Sequence, residues 1–294
     1  MKPAPFEYKA PVSIEEALTL LRDYGSDAKV LAGGQSLVPA MNFRVVQPSV
    51  LIDLNRVGEL NYIQQEDRGL RIGAMTRERQ LEFDPLIPKW FPLLAEAMPH
   101  VAHPQIRNRG TLGGSLANAD PAAELPVIML ALGARLKARN SSEERWIEAQ
   151  NFFSGMFTTD LAPDEILVEI ELPPNPPRTG WSFMEVAPRA GDYALMGVAV
   201  LVTLDENGVC RQARLVYLNA GDGPVDAKDA ANVLKGQIPG DDVMESAADS
   251  ASQKEINPFG NIHASTDFQR HLARVLTRKA LKQAVQRASE DNLQ

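Results

Sequence analysis

A single cysteine, Cys210, stands in a chain of 294 residues. No disulfide can form within the chain, and one thiolate cannot hold an iron–sulfur cluster, which takes about four protein ligands. Histidine is scarce too. His100, His103, His263 and His271 are the only four, and none has the spacing to acidic or sulfur partners that a zinc site needs. Long apolar runs are missing, so nothing approaches the ~20 residues of a membrane-spanning helix. Positive charge is in deficit: 30 Lys and Arg against 38 Asp and Glu give a net charge of −8. That disfavours nucleic acid as a partner, because such binding rests on basic side chains neutralising phosphates. An anion bound here would rely on backbone N–H groups instead. Met1-Lys2-Pro3-Ala4-Pro5 runs into polar sequence with no secretory leader, and the expectation is a soluble cytoplasmic protein.

What is present is an ordinary globular composition, 44% hydrophobic and 23% charged. The length suits roughly two domains. Ser13-Ile14-Glu15-Glu16 is a capping box that opens a helix ending near Gly25. Strands are expected at 29–32 and 50–54, so the first 55 residues form a small β-α-β unit. Further strands are expected at 70–74, 134–138 and 166–172, with helices at 93–98 and 125–132 and a short helix capped by Thr76. Pro173-Pro174-Asn175-Pro176-Pro177 can continue neither helix nor central strand and reads as a stiff linker. Beyond it come three strands (181–186, 197–204, 211–218) and then helices at 227–234, 241–252 and 267–288, an α+β order. The last helix is expected to present Phe268, Leu272, Val275 and Leu276 on one face, and 289–294 to be a loose tail.

Two segments share one grammar. Leu31-Ala32-Gly33-Gly34-Gln35-Ser36-Leu37 and Gly110-Thr111-Leu112-Gly113-Gly114-Ser115-Leu116 each set two glycines between apolar residues and follow them with a polar side chain. Paired glycines let backbone approach a ligand and turn N–H groups toward an anion. Neither segment is a dinucleotide Gly-x-Gly-x-x-Gly or a P-loop, and either alone is equally well a tight turn. Together they suggest two loops gripping one diphosphate. The second lies in a stretch from Gln105 to Pro121 dense in Gly, Asn, Ser and Thr, whose ordering a polar ligand would explain.

With these stretches go Pro104-Gln105-Ile106-Arg107-Asn108, Asp120-Pro121-Ala122-Ala123-Glu124, Glu165-Ile166-Leu167, Arg189-Ala190-Gly191-Asp192-Tyr193-Ala194 and Asp267-Phe268-Gln269-Arg270-His271-Leu272. In this order the chain resembles, over nearly its whole length, the FAD-binding medium subunit of the molybdenum hydroxylases, the group of carbon monoxide dehydrogenase and xanthine dehydrogenase. The resemblance implies an α+β architecture: an FAD-binding domain of the vanillyl-alcohol-oxidase (PCMH) type in two subdomains, then a C-terminal domain with a three-stranded sheet and helices. The boundaries expected are 1–175, divided at about 57, and 178–288.

The same resemblance implies the site. Ala32, Gly33, Gly34, Gln35 and Ser36 would wrap the FAD diphosphate from one side, and Thr111, Leu112, Gly113, Gly114 and Ser115 from the other, with Asn118 and Asp120 among the cofactor contacts. Glu124 matches an acidic position on the ribitol or ribose hydroxyls. Ile166 and Leu167 match the segment against the isoalloxazine ring. Tyr193 falls where an aromatic side chain shields or gates one ring face, and Val101 near the flavin. Gln35 stands where relatives often carry His. Phe183-Met184-Glu185 lacks a lysine that the resemblance ties to the xanthine dehydrogenase branch, which weakens the case for reaction with NAD⁺ in that manner.

No catalytic side chain is expected, because flavin chemistry belongs to the cofactor. His100 and His103 are read as hydrogen-bonded or exposed loop histidines, with a place beside the flavin as the alternative. Asp53 is read as structural rather than a ribose ligand. Arg107 and Arg109 either neutralise phosphate or face a partner. Cys210 is read as inert.

Since one cysteine cannot hold the family's two [2Fe–2S] clusters, the resemblance implies separate chains for them. A large molybdopterin subunit and a small iron–sulfur subunit would join this one, doubled into a heterohexamer. Electrons would run from cluster to FAD to oxygen, a quinone or NAD⁺. The substrate is chosen on the molybdenum subunit, so carbon monoxide, purines, N-heteroaromatics and aldehydes are all compatible with this chain. A free-standing FAD oxidase or dehydrogenase and a cofactor-free binding module are the alternatives.

Overall fold

The computed structural model describes residues 1–67 and 69–290. Its first sheet is parallel, in the order β1-β3-β2, from β1 (Glu7–Lys9), β2 (Ala28–Leu31) and β3 (Val50–Asp53). The helix Ile14–Tyr24 crosses between β1 and β2 and buries Ile14, Ala17, Leu18 and Leu21 on its core face. Ser13 Oγ accepts from Glu16 N at its start, while the Glu16 carboxylate reaches back to Val12 N at 2.9 Å. Gly25 closes it with φ +53°, a conformation that favours a residue without Cβ.

The second sheet is antiparallel and open, in the order β4-β5-β10-β6-β7. Its strands are β4 (Ile63–Glu66), β5 (Gly69–Gly73), β6 (Arg135–Arg139), β7 (Glu144–Glu148) and, after the small hairpin β8 (Phe153–Gly155) and β9 (Thr158–Thr159), the central β10 (Ile166–Leu172). The register of β10 slips between Leu167 and Glu169. That bulge changes which residues face which core. Ile166 and Val168 pack with the first lobe, under β2 and β3, whereas Leu167, Ile170 and Leu172 pack into the large core of the second lobe.

The third sheet is an antiparallel meander of β11 (Thr179–Val186), β12 (Met196–Leu204), β13 (Cys210–Leu218) and β14 (Val225–Asp226). It therefore has four strands rather than the three expected; a two-residue strand is too short to leave a periodic signal. Every residue of β12 is buried. Ala199 and Leu201 face the second lobe, while Val198, Val200 and Val202 face the helices of the C-terminal unit. Arg214 bridges the first contact, donating to Leu130 O at 2.8 Å at the end of the helix Glu124–Ala131.

Three further expectations are corrected. Thr76 does not cap a helix: its hydroxyl donates to Tyr62 O at 2.9 Å, and the following helix, Glu78–Phe83, starts from Arg77. The last helix, Thr266–Glu290, buries only part of the expected face, Leu276 fully and Leu272 in part. Gln269, Ala273, Leu276, Thr277, Ala280, Leu281, Ala284 and Ala288 point inward, and Phe268 is 45% exposed. The small inward residues let the helix backbone lie against β11, where a Cβ on Gly180 would collide with Ala284 O. The helix runs through Ser289 and Glu290, so the expected tail does not begin there; residues 291–294 lie outside the described residues.

Candidate functional site

The first glycine loop follows β2 directly, because a parallel strand delivers its C-terminal end to the sheet edge where ligand loops gather. Gln35 Nε2 donates to Gly33 O at 3.0 Å and rounds the turn, and Gly34 takes φ +74°. Among the described residues, the N–H groups of Gly33, Gly34, Gln35 and Ser36 donate to no protein acceptor. Four adjacent backbone donors without a protein acceptor are the chemistry that an anion-binding turn offers.

The second loop is built differently. Gly113 N donates to Ala74 O at 2.8 Å, Leu112 N to Thr76 O at 3.0 Å, Gly114 N to Thr111 Oγ1 at 3.1 Å and Ser115 N to Thr111 O at 3.0 Å. Its donors from 112 to 115 are thus already engaged, and what it offers is shape. A Cβ on Gly33 would collide with Arg109 O and stand 2.8 Å from Gly110 Cα, and a Cβ on Gly114 would meet Ala32 Cβ at 3.2 Å. The two loops therefore touch, and only glycine permits the distance. Beside the contact opens a cavity of about 330 Å³ lined by residues 31–35 together with Asn42, Asp53, Asn55 and Arg109.

The other expected residues cluster farther along. Asp120 Oδ1 accepts from Ala122 N at 3.0 Å, which starts the turn into the helix headed by Glu124. Asn118 is the last residue of the helix Leu112–Asn118 and is half-buried. Tyr193, 69% exposed, is within electrostatic reach of Asp120 and Glu124. Asn219 makes this juxtaposition: its N–H donates to Pro121 O at 2.7 Å and its amide to Ala194 O at 2.8 Å, tying the Tyr193 turn to the Asp120–Glu124 stretch. Ile166 and Leu167 are buried at the start of β10, on opposite cores, and Val101 is buried in the second lobe.

Electrostatics mark two carboxyls here. Burial, reinforced by Glu185, pushes Glu124 up to about 8. Burial also pushes Glu78 up to about 7, against the opposing pull of Arg107 and Arg77. Glu78 Oε2 is buried without a hydrogen-bond partner, and Gly110 lies on that carboxyl, where a Cβ would meet Glu78 Oε1 at 2.6 Å.

Arg107 has neither of its expected roles. It is buried, donates to both Glu82 carboxylate oxygens at 3.0 Å, and holds Val101 O and Ala102 O at 2.8 and 3.0 Å. Ala102 has φ +44°, so Arg107 stabilises a turn that an L-residue adopts reluctantly. Arg109 is exposed and lines the cavity. Asp53 accepts from Tyr8 Oη and from Asn55 N, a structural role, yet it also lines the cavity. His100 pairs with Glu185, and the His103 ring packs against Gly191. Cys210 is buried, and burial raises its thiol to about 11, which keeps it unreactive.

Residues 4–175 match the family model for the FAD binding domain in molybdopterin dehydrogenase, and residues 181–284 that for the CO dehydrogenase flavoprotein C-terminal domain. The chain belongs to the FAD-binding medium subunits of the molybdenum-containing dehydrogenases. It is 42% identical to the 6-hydroxypseudooxynicotine dehydrogenase complex subunit alpha of Paenarthrobacter nicotinovorans, over 98% of this chain and 97% of that one. Among solved structures it superposes on a chain of the Hydrogenophaga pseudoflava carbon monoxide dehydrogenase with a TM-score of 0.95 at 37% identity, covering 98% of this chain and 99% of that one. A chain of quinoline 2-oxidoreductase from Pseudomonas putida 86 gives 0.92 at 39% identity, with the same coverages. The medium subunit is an oxidoreductase component, and its open α+β sheets are those of this family.

Asn55, Arg77 and Glu78 were missed by sequence reasoning. Asp53-Leu54-Asn55 just past a parallel strand was an available signal for Asn55; Arg77 and Glu78 left none.

Proposed function

We propose that this medium subunit carries one FAD and passes electrons from a [2Fe–2S] cluster on a partner chain to an external acceptor. The observation that carries the reading is the contact of the two glycine loops beside four free N–H donors, a cradle that a Cβ at Gly33 would fill. A diphosphate fits that donor set. Ala32 to Ser36 would donate to it, while Thr111 to Ser115 would form the opposite wall by close approach. Asn118 and Asp120 would continue that wall. Glu124, held largely protonated at neutral pH by its burial, would offer an O–H to a ribitol or ribose hydroxyl. Ile166, Leu167 and Val101 would border the ring, and Tyr193 would cover one face. When bound, FAD supplies the exchange of electrons between one- and two-electron partners.

With one cysteine the chain cannot ligate the clusters, so the complex would include a small iron–sulfur subunit and a large molybdopterin subunit, assembled as a heterohexamer. The FAD-binding unit would span 1–175, divided near 57, and the C-terminal unit 178–288. The setting proposed is the cytoplasm; among the described residues no helix is long and apolar enough to cross a membrane.

Co-expression of the chain with its genomic neighbours, followed by a visible spectrum and metal analysis, tests this. Flavin bands with stoichiometric molybdenum and iron are expected. A colourless chain that takes up no FAD overturns the reading, and a yellow one that never copurifies with metal-bearing chains favours the free-standing oxidase.

A further inference from the structure

Two side chains outside the glycine loops connect them. The Arg77 guanidinium donates through one nitrogen to Arg109 O and through another to Asn55 Oδ1. The Asn55 amide donates in turn to Ala32 O at 2.9 Å. A continuous run of hydrogen bonds thus passes from the first loop through Asn55 and Arg77 to the second. The carbonyl that Arg77 holds is the one against which Gly33 lies, so the bridge acts at the point where the loops meet. Arg77 is also tied to the second loop by its backbone, in an isolated antiparallel bridge with Thr111.

The charge on Arg77 is a second observation. The residue is half-buried, and among the described residues no carboxylate lies within ion-pair distance of it. Both acceptors it uses are neutral. Burial, and then the like charge of Arg109, disfavour its cation, while Asp53 and Glu78 favour it from beyond ion-pair distance. Neither of those carboxylates touches the guanidinium, so a further anion at the loops would find positive charge there that no ion pair consumes.

We infer that Arg77 and Asn55 are positioning residues of the cofactor site. They hold the two glycine loops in the contact beside which the cavity for a diphosphate opens, and Arg77 adds its positive charge to that of Arg109. The inference rests on the FAD reading above. It assigns no new ligand; it says which side chains make the cradle fit.

The test is FAD titration of the full-length chain stripped of flavin, followed by quenching of flavin fluorescence, with thermal melting of the same apo samples. Arg77→Gln should weaken FAD binding about 10- to 100-fold, the scale of a lost charge-assisted hydrogen bond. Its apo melting point should stay near that of the wild type. Asn55→Ala should weaken binding similarly, and the double variant should bind no worse than Arg77→Gln, since both cut one bridge. Arg77→Lys keeps the charge but not the two-point reach and should fall between. If Arg77→Gln does not fold, Arg77→Lys and Asn55→Ala decide the matter. Unchanged affinity in the folded variants, or strictly additive losses, overturns the inference. A wild-type chain that binds no FAD overturns the functional reading instead.

Discussion

His100 Nδ1 stands 3.2 Å from Glu185 Oε1, and the same imidazole meets the edge of Phe183 with ring centroids 5.3 Å apart. The hydrogen bond that the imidazole donates to the Glu185 carboxylate raises its pKa above the ordinary 6.5, against the opposing effect of burial. A histidine that binds its proton more tightly when folded contributes stability in full below 6.5 and loses it as pH rises through the raised value. NMR titration of His100 should therefore show an upward shift that Glu185→Gln abolishes. A His100 that titrates at or below the ordinary value refutes the pairing.

Glu124 gives a second pH dependence. Its carboxyl titrates at about 8 in the folded chain against an ordinary 4.5, so the folded state holds a proton that the unfolded state releases. Between those values stability of the apo chain falls as pH rises. Glu124→Gln should flatten this slope and leave the variant more stable than the wild type at pH above about 8, where the native carboxylate is charged and buried. Denaturant melts across that range read the difference directly. A slope unchanged by the substitution would mean that Glu124 ionises freely.

Gly33→Ala should open the contact between the glycine loops, because the added methyl would strike the Arg109 carbonyl, which is backbone. Overpacking of this kind costs about 1–3 kcal/mol. FAD retention should drop with it, and a bulky residue at Gly33 or Gly114 should abolish retention. Gly58→Ala is the control, since nothing lies within 4 Å of a Cβ there. Equal FAD content in Gly33→Ala and Gly58→Ala would contradict the cradle.

Arg107→Met should destabilise the chain by roughly 3–5 kcal/mol, the cost of leaving one member of a buried ion pair alone. The two carbonyls at Val101 and Ala102 would lose their donor as well. Chemical denaturation measures this. A change within ~0.5 kcal/mol, the range of ordinary surface substitutions, would return Arg107 to the surface role that its sequence context suggested.

What the sequence made legible was local. The helix at 14–24, the strand at 166–172 and both glycine loops follow from capping, apolar patterning and glycine pairs within a few residues. The site beyond the loops was not local. Asn55, Arg77 and Arg109 meet only after three separate segments have folded, and no spacing in the sequence announces that meeting. The inward face of the last helix was misread for another reason. Beside Leu276 and Leu281 its buried positions are four alanines with Gln269 and Thr277, and the backbone at Ala284 and Ala288 lies close to Gly180, while the larger Phe268 stays outside. A search by hydrophobicity finds the larger side chains and misses a face made of small ones. Thr76 failed similarly: its hydroxyl was claimed by Tyr62 O, a partner supplied by the neighbouring strand register.

The place of β10 between two cores has a mechanical consequence. Val168 belongs to one hydrophobic core and Leu167 beside it to the other, so a single strand is the common wall of both lobes. The lobe that carries the first glycine loop cannot be peeled away without stripping β10 of half its packing, and the lobe that carries the second cannot loosen without releasing the same strand. The two halves of the cradle are thus one cooperative unit, and heat or denaturant will take them apart together, in a single transition rather than two.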